Sequence, residues 1–213
     1  MRIILVFILL AALAVPSARA ARKKAEKTAT AEKTETEATK FAQQGVEASK
    51  SKDWNKAIEM FRKATERDKK FAPNLVVAYQ HRAFEAAGQQ KYQDAIADLT
   101  EALKVNPEDA RTYEQRAAME MRTKDYDKAV ADYSQAIKLT PDDISNYLYR
   151  GYVYELKGDK KSAMADTQSA LKIDPTNQEA LDRRARLQVT LQPQVPFTPP
   201  SQTGTAQPPS GRP

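Results

Sequence analysis

The sequence predicts an all-α solenoid of stacked helical hairpins, and three observations predict it. Pro107, Pro141 and Pro175 stand 34 residues apart. Each follows an Ala–bulky–Ala series at fixed offsets, in two units as Ala95, Leu99, Ala102 and Ala129, Tyr133, Ala136. The third unit reads Ala163, Thr167, Ala170, and no alternating strand pattern interrupts the series. A constant period of this size marks helical units that bury their apolar faces only by stacking. Such a chain works through the surface it presents.

Residues 1–20 come first and belong to no repeat. Arg2 is followed by an apolar run from Ile3 to Val15, then Pro16-Ser17-Ala18-Arg19-Ala20, a small-x-small pattern open to signal peptidase. Cleavage after Ala20 and export to a periplasm or the outside are expected. A retained anchor is the competing reading, but 13 apolar residues are short of the ~20 that a spanning helix needs. With no Cys in the chain, a lipid-modified N-terminal Cys is excluded, and stability in an oxidising compartment must come from packing.

Loss of the leader removes Arg2 and Arg19, taking the formal charge from +6 to +4. Between Thr39 and Thr190, 26 Lys plus Arg face 24 Asp plus Glu. No focused basic stripe offers the counterion release that nucleic-acid binding needs, so no nucleic-acid partner is expected. Residues 21–37 hold Lys, Glu, Thr and Ala without a large apolar side chain. They read as a charged, flexible linker, a solvated tether or a frayed helix.

The folded part is expected over 38–190, in units of about 38–71, 76–109, 110–143 and 144–177 with a cap at 177–190. Helices are predicted over 39–51 and 54–68, 73–88 and 91–104, 108–122 and 125–138, and 142–156 and 159–172. Polar turns separate the two helices of a unit at Asp53-Trp54, Gln90-Lys91-Tyr92, Lys124-Asp125-Tyr126 and Gly158-Asp159-Lys160. The cap is predicted to bury Leu181, Ala185 and Leu187 and to expose Asp182, Arg183, Arg184 and Arg186. Residues 191–213 carry Pro193, Pro196, Pro199, Pro200, Pro208, Pro209 and Pro213. They read as a Pro-rich disordered tail, with a docking segment as the less favoured alternative.

This middle region resembles the tetratricopeptide repeat family, in the form of an exported bacterial-type protein. The small, bulky and small positions and the closing proline are those quoted above. The earlier positions of the pattern are filled by Tyr79, Ala83 and Ala86, by Tyr113, Ala117 and Glu120, and by Tyr147, Gly151 and Tyr154. A first unit supplies Phe41, Gly45, Ala48, Ala57, Phe61 and Ala64 but has Lys69 in place of proline and four extra residues before the next unit. The resemblance implies a right-handed superhelix with a concave face lined by the first helix of each unit. Carried onto this chain, that face presents Phe84, Met121, Leu148, Tyr149 and Tyr152, edged by Gln80, His81, Gln115, Arg111 and Arg122. A partner's helix or extended peptide is expected to lie there.

A subset of the family grips C-terminal carboxylates through a Lys, Asn, Asn, Lys, Arg clamp. Here those places hold Ala42, Val46, His81, Arg111 and Gln115, and only Arg111 keeps a matching charge. Arg82, Arg116 and Arg150 recur 16 residues before Asp98, Asp132 and Asp166. A ligand-binding Arg ladder is one reading; the favoured one is an internal clamp between a unit's two helices. Arg184, next in the series, has no Asp to meet.

No enzyme is expected. His81 is the one His, no Cys accompanies it, and no Gly-rich phosphate loop follows a strand. No metal or cofactor is implied. The sequence points to a protein-interaction module or assembly scaffold for a protein or peptide partner, with an envelope-associated complex as its setting. A self-assembling homo-oligomer is the first alternative and a glycan-binding or enzyme-accessory domain the second.

Overall fold

The computed structural model describes residues 15–191. The leader up to residue 14, and the tail from residue 192 with its Pro-rich prediction, lie outside the described residues. The chain runs through α1 (Val15–Lys50), α2 (Trp54–Arg67), a 3₁₀ turn (Lys69–Phe71), α3 (Ala72–Gly88), α4 (Tyr92–Val105), α5 (Ala110–Arg122), α6 (Tyr126–Leu139), α7 (Ile144–Leu156), α8 (Lys160–Ile173) and α9 (Gln178–Leu191). Helices pair as α1/α2, α3/α4, α5/α6 and α7/α8, each pair stacks on the next, and α9 closes the stack. This is the all-α solenoid of hairpins that the period predicts.

The hairpins close because small residues stand where the helices cross. Ala57, Ala64, Ala95, Ala102, Ala129, Ala136, Ala163 and Ala170 are all fully buried, and a larger side chain at any of them would push two backbones apart. Gly45 is the extreme case, since a Cβ there would stand 2.7 Å from the Phe61 ring. Tyr79, Tyr113 and Tyr147 occupy equivalent places, each under the guanidinium of its own unit's Arg82, Arg116 or Arg150 at 5.8, 5.7 and 6.0 Å.

Every first helix ends by the same backbone device. Lys52, Gln90, Lys124 and Gly158 share one repeat position, and all four have positive φ, from 58° to 79°. The next residue's N–H returns to the carbonyl of Ala48, Ala86, Glu120 or Tyr154 at 2.8–2.9 Å, the six-residue closure of a Schellman motif. Asp53 and Asp159 then cap the second helix by accepting the N–H of Lys56 and Ser162 at 3.1 Å.

Two elements differ from the expectation. The helix predicted from 39 extends back through the linker, because Ala, Glu and Lys there are strong helix formers. Thr28, Thr30, Thr34 and Thr36 donate their hydroxyls to carbonyls four residues earlier. A 3₁₀ turn that was not predicted, Lys69–Phe71, precedes the second repeat, while α3 starts at Ala72, one residue from the predicted position, with Pro73 in its first turn.

The cap's register also needs correction. Its buried residues are Ala180, Arg183 and Leu187, whereas Ala185 is exposed and Leu181 only partly covered. Arg183, predicted to be exposed, donates to Leu148 O at 2.7 Å and to Glu179 at 2.8 Å, and its Nε forms an ion pair with Glu155 at 2.7 Å, off the hydrogen-bond axis. A buried Arg is tolerated here because two of its nitrogens donate hydrogen bonds and its charge faces Glu155 and Glu179. Arg184 is exposed, as the sequence suggested.

Candidate partner-binding grooves on the first-helix face

The repeated Arg–Asp pairs are internal clamps. Arg82 binds Asp98 through Nε at 2.9 Å and Nη2 at 2.5 Å, Arg116 binds Asp132 at 2.7 and 2.8 Å, and Arg150 binds Asp166 at 2.9 and 2.7 Å. The remaining Nη1 of each reaches back to the preceding unit, to Asn55 at 2.7 Å, Thr100 at 3.1 Å and Ser134 at 2.8 Å. Each guanidinium thus spans three helices, and its pKa is raised chiefly by the hydrogen bonds it donates to its carboxylate. With all three forks engaged, the clamps hold the spacing on which the first-helix face depends.

A second set of ties joins consecutive first helices. Gln80 donates to Asp109 at 2.9 Å and to Thr112 at 2.7 Å, and Asn146 donates to Glu114 at 2.9 Å. Gln80 was expected to edge the binding strip; its amide is instead engaged between units. Leu148 is corrected more firmly. It packs with Ala170 and Ala180 in the core under the cap and offers nothing to the face.

The other expected residues divide between two grooves rather than one strip. Between α5 and α7 lies a groove of about 560 Å³ lined by Gln115, Met121, Arg122, Tyr149 and Tyr152, joined by Glu114, Ala118, Tyr133 and Leu156. Tyr149 and Tyr152 are about half exposed, at 54% and 45%, which places both rings on the groove side rather than in the core. Tyr133 is the floor: its ring stacks on Tyr149 with centroids 5.8 Å apart, and its hydroxyl donates to the Met121 sulfur at 3.8 Å. Burial pushes the Tyr133 hydroxyl pKa far above its ordinary value, with Tyr149 adding to the effect, so this floor stays uncharged. Gln115 Oε1 is buried beside it without a hydrogen-bond partner.

A second groove of about 470 Å³ lies between the first two units, lined by Val46, Trp54, Val77 and His81 among others. His81 is exposed and lies flat on Trp54, with centroids 4.6 Å apart and planes 7° from parallel. Phe84, 76% exposed, stands on α3 and lines neither groove. Arg111 is exposed at the start of α5, also outside both linings. Sequence patterning could not separate Tyr133 from ordinary core, because its repeat position is the bulky interhelix site. Its part in the groove follows from the partner it stacks on.

This surface offers shape and aromatic faces. Among the described residues no group of three or more His, Cys, Asp or Glu side chains could hold a metal ion. Nor, among those residues, is any helix long and apolar enough to cross a membrane.

Known proteins place the same architecture in context. Residues 82–144 and 144–177 each match the tetratricopeptide repeat family. Heat shock protein STI1 of Saccharomyces cerevisiae is 40% identical over 70 residues, which are 33% of this chain; the chain spans only 11% of that protein's length. Among solved structures, a tetratricopeptide repeat protein from Parabacteroides merdae aligns with a TM-score of 0.55 at 19% identity, covering 72% of this chain and 59% of that one. MamA gives 0.54 at 19%, covering 68% and 83%. The first repeat domain of Spaghetti (RPAP3), bound to the HSP90 peptide SRMEEVD, gives 0.51 at 22%, covering 55% and 92%. At these identities the structural likeness speaks for the fold. Joined to the family matches over residues 82–177 and to the clamps and Schellman turns that recur in register through them, it shows an all-α solenoid of tetratricopeptide-repeat-like hairpins, within which residues 82–177 match that family.

Proposed function

We propose that the protein is an exported interaction module or assembly scaffold that holds a peptide or helix of a partner protein in the groove between α5 and α7. The observation that carries this reading is the pair of half-exposed Tyr149 and Tyr152 rings over the Tyr133 floor in one groove. The aromatic faces and the Met121 and Leu156 side chains supply apolar contact, and Arg122 at the rim suits a partner's carboxylate or carbonyl. The fold is one on which the repeat domain of Spaghetti (RPAP3) holds a peptide. The leader's charge and hydropathy pattern supports export.

Proximity capture in the exported compartment, comparing the unaltered protein with Tyr149→Ala and Gln115→Ala, tests the reading. Both changes are expected to deplete the same captured partner while the melting temperature holds. An unchanged captured set from folded variants would reject the groove as the binding site.

A further inference from the structure

The α5/α7 groove has a candidate occupant within the chain itself. We infer that residues 193–200 of the same chain dock in this groove and compete with outside partners; the inference rests on the peptide-binding reading of the site.

Three observations point to the tail. The first concerns where the chain leaves the fold. α9 runs parallel to α7, since Ala180 packs on Leu148 while Arg183 and Arg186 reach Glu155 at 2.7 and 3.6 Å. Leu191 lies five residues beyond Arg186, roughly 8 Å further along the axis. The described chain therefore ends near the C-terminal end of α7, where Leu156 forms a wall of the groove.

The second is chemistry. The segment Pro193-Gln194-Val195-Pro196-Phe197-Thr198-Pro199-Pro200 has no charge and holds four prolines and one aromatic ring. Prolines bias such a sequence toward the polyproline II form, which loses little entropy on binding and docks against aromatic-lined grooves. Tyr149 and Tyr152 are the exposed tyrosines of that lining, over a Tyr133 floor.

The third is reach. Residues 192–200 span up to about 28 Å in the polyproline II form, more than the roughly 16–20 Å of two interaxial steps from α9 past α7 to α5. The groove between the first two units lies two hairpins away and is lined by valines, Trp54 and His81, so proximity favours the α5/α7 site.

The test uses the full chain, whose lack of Cys lets a nitroxide be placed at Ser201→Cys alone. The nitroxide is expected to weaken the backbone resonances of Gln115, Met121, Tyr149, Tyr152 and Leu156 while sparing those of Val46 and Val77. Adding Phe197→Ser, Pro199→Ala and Pro200→Ala should restore the groove resonances and raise several-fold the affinity for an added synthetic peptide of residues 192–203, because the competing segment is released. Labelled chain mixed with isotope-labelled, nitroxide-free chain should give no loss. Equal loss at both grooves, a loss that survives the triple change, or a loss seen only in the mixture would overturn docking within one chain. Partner capture that depends on Tyr149 would survive any of these failures, so the two proposals fall separately.

Discussion

Arg116 and Asp132 are joined by two parallel hydrogen bonds of 2.7 and 2.8 Å, and the third arm of the same guanidinium reaches Thr100 in the unit before. Both side chains are largely covered, at 20% and 7% exposure. Removing one partner strands the other's charge in a poorly solvated interface. Asp132→Ala is therefore expected to lower stability by about 2–4 kcal/mol, read as a lower denaturant midpoint. Arg116→Met combined with Asp132→Leu should recover much of that loss, since neither charge is then stranded. A loss of partner capture with unaltered stability would make the pair a ligand site and not a clamp.

Glu120 faces the opposite situation. It is buried in α5 at a place filled by Ala or Tyr in the other units, and its Oε2 has no hydrogen-bond partner. Burial, with Asp132 adding repulsion, raises its pKa to about 7 despite the opposing pull of Arg116. The folded state thus holds a proton that the unfolded state releases near pH 4.5. This group's contribution is fully present below about pH 4.5, falls as pH rises, and is gone above about pH 7. Across that window the loss is on the order of 3 kcal/mol. Glu120→Gln should flatten the pH dependence and be the more stable form at pH 8, as denaturation midpoints at pH 5 and pH 8 would show. An identical pH slope in both proteins would refute the assignment.

The fold was legible because its determinants are local and periodic: the crossing alanines, the turn residues and the 16-residue Arg–Asp offset all repeat, so one unit explains the rest. What escaped has no such repetition. Leu148 lies on the first-helix face by position, yet the cap covers it, and only the packed end of the stack shows this. Arg183 was hidden by the expectation that a run of Arg in a final helix stays in water. Its signal was Gly151, where a Cβ would stand 3.3 Å from the Arg183 guanidinium. The single strip separated into two grooves because Gln80 is spent on tying units together, an outcome decided by side-chain geometry that repeat position alone does not encode.

The positive-φ turn gives a prediction of opposite sign at two equivalent sites. Lys124 adopts φ 63° with a side chain that the left-handed region disfavours, while Gly158 adopts φ 79° without that cost. Lys124→Gly is expected to stabilise the protein by about 0.5–1 kcal/mol. Gly158→Ala should destabilise it by about 1 kcal/mol, although no atom stands within 4 Å of the added methyl. Chemical denaturation of the two variants checks both. Destabilisation of similar size at both sites would show that the Lys124 side chain contributes contacts that outweigh its backbone strain.

Arg183 should decide whether the cap holds. Its guanidinium meets a backbone carbonyl of α7, Glu155 of the same helix and Glu179 of its own, so α9 is pinned to the last hairpin through one side chain. Arg183→Ala removes all three and leaves Glu155 only the longer approach of Arg186 at 3.6 Å. The expected cost is about 3 kcal/mol, confined to the end of the stack because repeats couple chiefly to their neighbours. Arg183→Lys should recover little, since a single ammonium cannot reproduce a planar fork that reaches several acceptors. Arg184→Ala, at an exposed site one residue on, should stay within about 0.5 kcal/mol. Hydrogen exchange separates the outcomes: amides of α9 and the second half of α7 should lose protection in Arg183→Ala while those of α3 and α4 keep it. Uniform loss along the stack would mean that the solenoid unfolds as one unit and that the cap is no more than its weakest contact.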